Sequence, residues 1–76
     1  MDTRDLLARF LELSPINFMN YLKPNLAKKT KSYLIFKKTV GGHKLAFVYR
    51  ENVKLFYCDR KLAMSCPVED SDKLAA

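Results

Sequence analysis

Seventy-six residues make one small domain and leave no room for a second core. Fourteen Lys and Arg against eight Asp and Glu give a formal net charge of +6, which favours an acidic or anionic partner. No apolar run approaches transmembrane length, Asp2 and Asp5 argue against a secretory leader, and two cysteines are too few to staple a secreted mini-domain. A cytoplasmic protein with reduced thiols and no membrane association is expected, as a monomer or weak dimer. The charge is unevenly spread. Between Leu13 and Arg50 lie eight basic residues and no acidic one; the acids sit near the two ends.

Asp2 or Thr3 can cap a first helix, with Asp5 well placed in its first turn. Leu6, Leu7, Phe10 and Leu11 recur at helical spacing, and the helix should end near Leu13. Ser14-Pro15 restarts it: serine is a good N-cap, and proline at the first helical position loses no hydrogen bond. The second helix, Pro15 to Leu22, is expected to show Ile16, Met19 and Leu22 on one side and Phe18 and Tyr21 on another. Pro24 ends it. Asn25 to Ser32 reads as a polar connection, anchored by Leu26.

From Lys31 to Met64 the chain reads as a β-meander. Gly41-Gly42 supplies the positive φ that a two-residue hairpin turn needs, and it fixes a register: Val40 opposite His43, Lys38 opposite Leu45, Phe36 opposite Phe47, Leu34 opposite Tyr49. Glu51-Asn52 and Asp59-Arg60 are weaker turn signals. With period-two alternation, Leu34, Phe36, Val40, Leu45, Phe47, Tyr49, Phe56 and Cys58 share the face that meets the helices, with Lys38 out of character there. The other face carries Tyr33, Ile35, Lys37, Thr39, Ala46, Val48, Arg50, Val53, Leu55 and Tyr57, with Leu62 and Met64 added by a short fourth strand, Lys61 to Ser65. Such a mixed apolar and basic face is either a contact surface or is covered by sheet twist, the C-terminal segment or a second copy. The fold expected is α+β, two N-terminal helices packed on a three- or four-stranded antiparallel β-meander. Residues 1–66 would form the domain and 67–76 a disordered tail, of which 73–76 look vector-derived.

The chain shows no pattern for chemistry. His43 is the only histidine, with only Cys58 as a remote candidate nucleophile. The two cysteines are eight positions apart and lack metal-ligand spacing. Gly41-Gly42 is followed by no phosphate-binding signature, and no pair of carboxylates is placed for acid–base work. No catalytic, cofactor-binding or metal-binding residue is assigned, and a non-enzymatic binding protein is expected.

Its candidate contact residues are Lys28, Lys29, Lys31, Tyr33, Lys37 and Arg50, facing an acidic protein surface. The third or fourth strand could also pair with a partner strand. The alternative is nucleic acid, tracked by the lysines with Tyr33, Tyr49 or Tyr57 for stacking. Lysines outnumber arginines and no helix-turn-helix, zinc-finger or RNP-type motif is present, so sequence specificity would be low.

Across its whole length this compact, basic, motif-free chain, beginning MDTRDLLARFLELSPINFMNYL, resembles small bacteriophage regulators that bind host RNA polymerase. The resemblance implies docking on a large enzyme and modulation of its transcription. Small ribonuclease toxins also combine basic charge with a meander, but this chain has no strand before its helices and no credible catalytic basic set.

Overall fold

Two capped helices lead into the sheet. The structure, a computed structural model, describes residues 2–68. Helix α1 spans Thr3–Glu12, with the Asp2 carboxylate accepting from the Asp5 backbone N–H at 3.0 Å. Helix α2 spans Pro15–Tyr21, with Ser14 Oγ accepting from the Asn17 N–H and Pro15 in the first turn. Both starts follow from local side-chain chemistry that satisfies otherwise orphaned amides.

A short 3₁₀ turn at Lys23–Asn25 then feeds five strands: β1 Leu26–Lys29, β2 Tyr33–Val40, β3 His43–Arg50, β4 Val53–Cys58 and β5 Lys61–Pro67. They form one antiparallel sheet in chain order. The protein is therefore α+β, with five strands where the sequence suggested three or four.

The expected β2–β3 register holds at every pair, from Leu34 opposite Tyr49 to Val40 opposite His43. Both turn glycines take positive φ, +56° and +81°. Across β3–β4, Phe47 faces Phe56 and Leu45 faces Cys58, also as expected. The Glu51-Asn52 turn avoids the strain that a glutamate would meet at positive φ, since neither residue adopts it. The Asp59-Arg60 turn does carry that strain, at φ 51° and 69°. A non-glycine residue held there costs on the order of 1–2 kcal/mol. Arg60→Gly should accordingly stabilise the fold by about 1 kcal/mol. Urea denaturation would read this directly; an unchanged or lower midpoint would mean that Arg60 makes a compensating contact.

Three expectations change. Asn25 to Ser32 is not merely a connection, because Leu26–Lys29 pairs with β2. Lysine and alanine are poor strand formers, but the free edge of β2 supplies hydrogen-bond partners that outweigh propensity. The hairpin is closed by Thr30, whose Oγ1 accepts from the Ser32 and Tyr33 N–H groups. β5 runs beyond Ser65 to Pro67, and Val68 is buried, so 67 and 68 belong to the folded unit. The rest of the expected tail, 69–76, lies outside the described residues. Finally, β4, the third of the expected strands, is paired on both sides, while β5, the expected fourth, does offer an edge, as does β1.

The core lies between the helices and one sheet face. Leu6, Phe10, Phe18 and Leu22 meet Leu34, Phe36, Leu45, Phe47, Tyr49 and Phe56 in one buried cluster. Helix α2 turns Pro15, Phe18 and Leu22 inward and leaves Ile16 half exposed. The inward side therefore draws on both expected groups, Phe18 from one and Leu22 with half-buried Met19 from the other, and only Ile16 is left out. A buried Lys54 completes the inner face: its Nζ donates to the Leu11 carbonyl at 2.9 Å, at the open end of α1. There it satisfies an orphan carbonyl and faces the negative end of the helix dipole.

Candidate functional site: the open sheet face

With α1 and α2 on one side, the sheet's other side has no helix against it among the described residues. Cross-strand register places its residues in rows. One row is Lys28–Ile35–Val48–Leu55–Ser65, and another is Lys37–Ala46–Tyr57–Leu62. Tyr33–Arg50, Thr39–Lys44 and Val53–Pro67 complete it. The row through Val48 is apolar at its centre. Val48 is 7% exposed although no helix lies over it, flanked by half-buried Ile35 and Leu55. Lysines and arginine surround that centre, and no carboxylate occupies a strand position on this face among the described residues.

Two local arrangements stand out. At one end, the Tyr33 ring has the Lys28 Nζ and the Arg50 guanidinium each 5.7 Å from its centroid. The ring quadrupole holds both cations on this side of the sheet at modest cost. At the other end, an open groove of about 580 Å³ is lined by Lys37, Thr39, Lys44, Ala46, Tyr57 and Arg60, among others. Its walls carry several positive charges over an aromatic and alanine floor, which suits carboxylates or phosphates.

Of the sequence-derived contact residues, Lys28, Tyr33 and Arg50 come together, and Lys37 shares their face. Lys29 pairs with Leu34 and so has the opposite parity, at the β1 edge, while Lys31 lies in the β1–β2 turn. The run Lys28–Lys31 is thus not a single basic patch. A one-residue alternation divides it between the two faces. Met64 moves as well. A bulge at Ala63 sets it opposite Phe56, on the helix side, whereas Leu62 stays on the open face opposite Tyr57. Bulges shift parity in this way and are invisible to simple alternation.

Of the groove residues, Lys44 belongs to the lysines of the nucleic-acid reading, whereas Arg60 reads from sequence only as a turn residue. A second feature lies beside them. His43 Nδ1 and Asp59 Oδ2 are 2.8 Å apart, and the other Asp59 oxygen accepts from the Lys44 N–H at 2.9 Å. These two hydrogen bonds hold the Asp59 carboxyl below its ordinary pKa, with the His43 contact the larger cause. Both partners are at least half exposed. Sixteen positions separate them in sequence, so only the register of the meander could have predicted the pair.

Both cysteines are free thiols, and no helix among the described residues is long and apolar enough to cross a membrane. The fold and face together define a class, a two-layer α+β domain with one sheet face left open among the described residues. Comparison with protein-family models, curated proteins and solved structures gives no match, so the functional argument rests on this geometry.

Proposed function

We propose that this chain is a non-enzymatic regulatory protein whose open sheet face docks on an acidic surface of a larger protein assembly. The resemblance to phage regulators makes a host RNA polymerase the first candidate. The observation that carries the proposal is the apolar centre at Ile35, Val48 and Leu55, ringed by Lys28, Lys37, Lys44 and Arg50 with no carboxylate among the strand positions. Protein interfaces share this anatomy, an apolar middle within a polar rim, and one-signed rims steer association toward the opposite charge.

A second reading has its own support. Tyr57 in the basic groove offers an aromatic surface beside cations, as single-stranded nucleic-acid sites do. The two readings differ in salt response. Neutralised phosphates give a log–log slope of roughly −0.7 per contact on single strands, whereas an interface with an apolar centre is less sensitive.

The test uses the immobilised full chain in bacterial lysate with and without nuclease treatment, beside a variant carrying Lys28→Glu, Lys37→Glu and Arg50→Glu. A control variant carries Lys23→Glu, Lys29→Glu and Lys31→Glu, with the same change of charge. RNA polymerase is expected to be retained by the parent and the control, and binding by the face variant should fall by roughly a hundredfold or more, since like-charge juxtaposition costs several kcal/mol. Equal loss in both variants would reduce the effect to net charge and remove the face from the proposal. Retention that vanishes with nuclease would transfer it to the nucleic-acid reading.

A further inference from the structure

We propose that His43, Cys58 and Asp59 form a binding site for one divalent transition metal ion, with zinc the best fit. The site stands at the end of the sheet where the β2–β3 and β4–β5 turns lie side by side. It is independent of the docking proposal.

Three different donor types converge there. A ring nitrogen of His43, the Cys58 sulfur and a carboxylate oxygen of Asp59 all lie within 4.8 Å of one another. Two edges of the donor triangle are given by His43 Nδ1 to Asp59 Oδ2, 2.8 Å, and Cys58 Sγ to the same oxygen, 3.8 Å. Tetrahedral zinc, with bonds of about 2.0–2.3 Å, sets nitrogen, oxygen and sulfur donors roughly 3.3–3.6 Å apart. The histidine–aspartate edge must open slightly and the histidine–cysteine edge close by up to about 1 Å, within reach of rotation of the exposed His43 and Asp59 side chains about a half-buried Cys58.

The donor set selects the ion. Magnesium and calcium take all-oxygen shells, which this site cannot supply, while imidazole with thiolate suits zinc and its cobalt surrogate. Thiolate and carboxylate together balance the charge of a divalent ion. Asp59 is already oriented by β3: its Oδ1 accepts from the Lys44 N–H at 2.9 Å and its own N–H donates to the Lys44 carbonyl at 2.7 Å. That leaves Oδ2 for the metal, and such outer-shell bonds strengthen metal sites. Three protein donors leave a fourth position for water. Binding requires the Cys58 thiol to give its proton to solvent, so affinity falls as pH is lowered. The neighbouring cations Lys44, Arg60 and Lys61 oppose a metal ion, and the site should be weaker than a closed four-ligand zinc centre.

The experiment is a cobalt titration of the full chain carrying no added histidines, followed by displacement with zinc. Cobalt should produce a near-ultraviolet thiolate-to-metal absorption at one ion per chain, and zinc should abolish it. Cys66→Ser should retain the band and Cys58→Ser should lose it. His43→Ala and Asp59→Asn, both at exposed positions that leave the core untouched, should weaken zinc binding roughly tenfold or more in calorimetry. No cobalt–thiolate band, or a band that follows Cys66 instead of Cys58, would overturn the site. So would His43→Ala and Asp59→Asn proteins that bind zinc as tightly as the parent.

Discussion

Phe18→Ala should leave this chain without a cooperatively folded state at room temperature. The side chain is fully buried, and its ring centroid lies 5.0–5.7 Å from those of Phe10, Phe36, Phe47 and Tyr49. It is the point where both helices and two strands meet. Truncating a buried phenylalanine costs about 3–5 kcal/mol. A domain of this size holds on the order of 3–5 kcal/mol in total. The loss therefore matches the whole reserve. Phe18→Leu keeps most of the volume, should cost less than about 2 kcal/mol, and should remain folded. Ile16→Ala, on the exposed side of the same helix, should change stability by no more than about 0.5 kcal/mol. Far-ultraviolet circular dichroism through a urea series separates the three. A Phe18→Ala protein that unfolds cooperatively with a loss below about 1 kcal/mol would mean that α2 is not seated by Phe18.

That contrast also marks how far the sequence could be read. Helix caps and the Gly41-Gly42 hairpin were legible because each is set by a few adjacent residues: an acceptor side chain three positions ahead of an amide, or two glycines in a turn that needs positive φ. From one turn, eight cross-strand pairs followed, because alternation propagates register along the strand. The face of α2 was not legible, since a seven-residue helix offers too few periods to decide whether Ile16 or Phe18 points inward. β1 was hidden because its pairing partner, not its composition, makes it a strand.

The open face was legible in outline and misassigned in detail. Tyr33, Lys37 and Arg50 follow from strand parity, whereas Lys28 reaches their face only through β1. Lys29 and Lys31 were grouped with Lys28 only by adjacency in sequence, which a pleated strand divides. The triad at His43, Cys58 and Asp59 needs two hairpins to be in register at once, so spacing along the chain carries no trace of it. Lys54 is another case. It alternates with Phe56 and Cys58 and so shares their inner face, but the sequence reading left it out, and only the end of α1 explains why a lysine belongs there.

Lys54→Met and Tyr49→Phe should each destabilise the domain by about 1–3 kcal/mol, and their effects should not add. The Tyr49 hydroxyl lies 2.9 Å from the Phe10 carbonyl and 3.0 Å from that of Leu13, with one hydrogen to donate between them. Lys54 Nζ reaches the Leu11 carbonyl and, at 3.5 Å, the same Leu13 carbonyl. Its ammonium also stands 5.6 Å from the Tyr49 ring centroid. One shared acceptor and one cation–ring contact couple the two residues, so removing both should differ from the sum by roughly 0.5 kcal/mol or more. Methionine recovers part of the cost of burying an ammonium, which keeps the expected loss below that of breaking a buried ion pair. It cannot replace the donor at Leu11, and the net effect stays destabilising. The anchor lies on the helix side of the sheet, opposite the proposed docking face. Lys54→Met should therefore lower the urea midpoint while leaving partner affinity per folded molecule unchanged, the reverse of the face variant. A Lys54→Met protein with full stability and lost binding would put the partner on the helix side and exchange the roles assigned to the two faces.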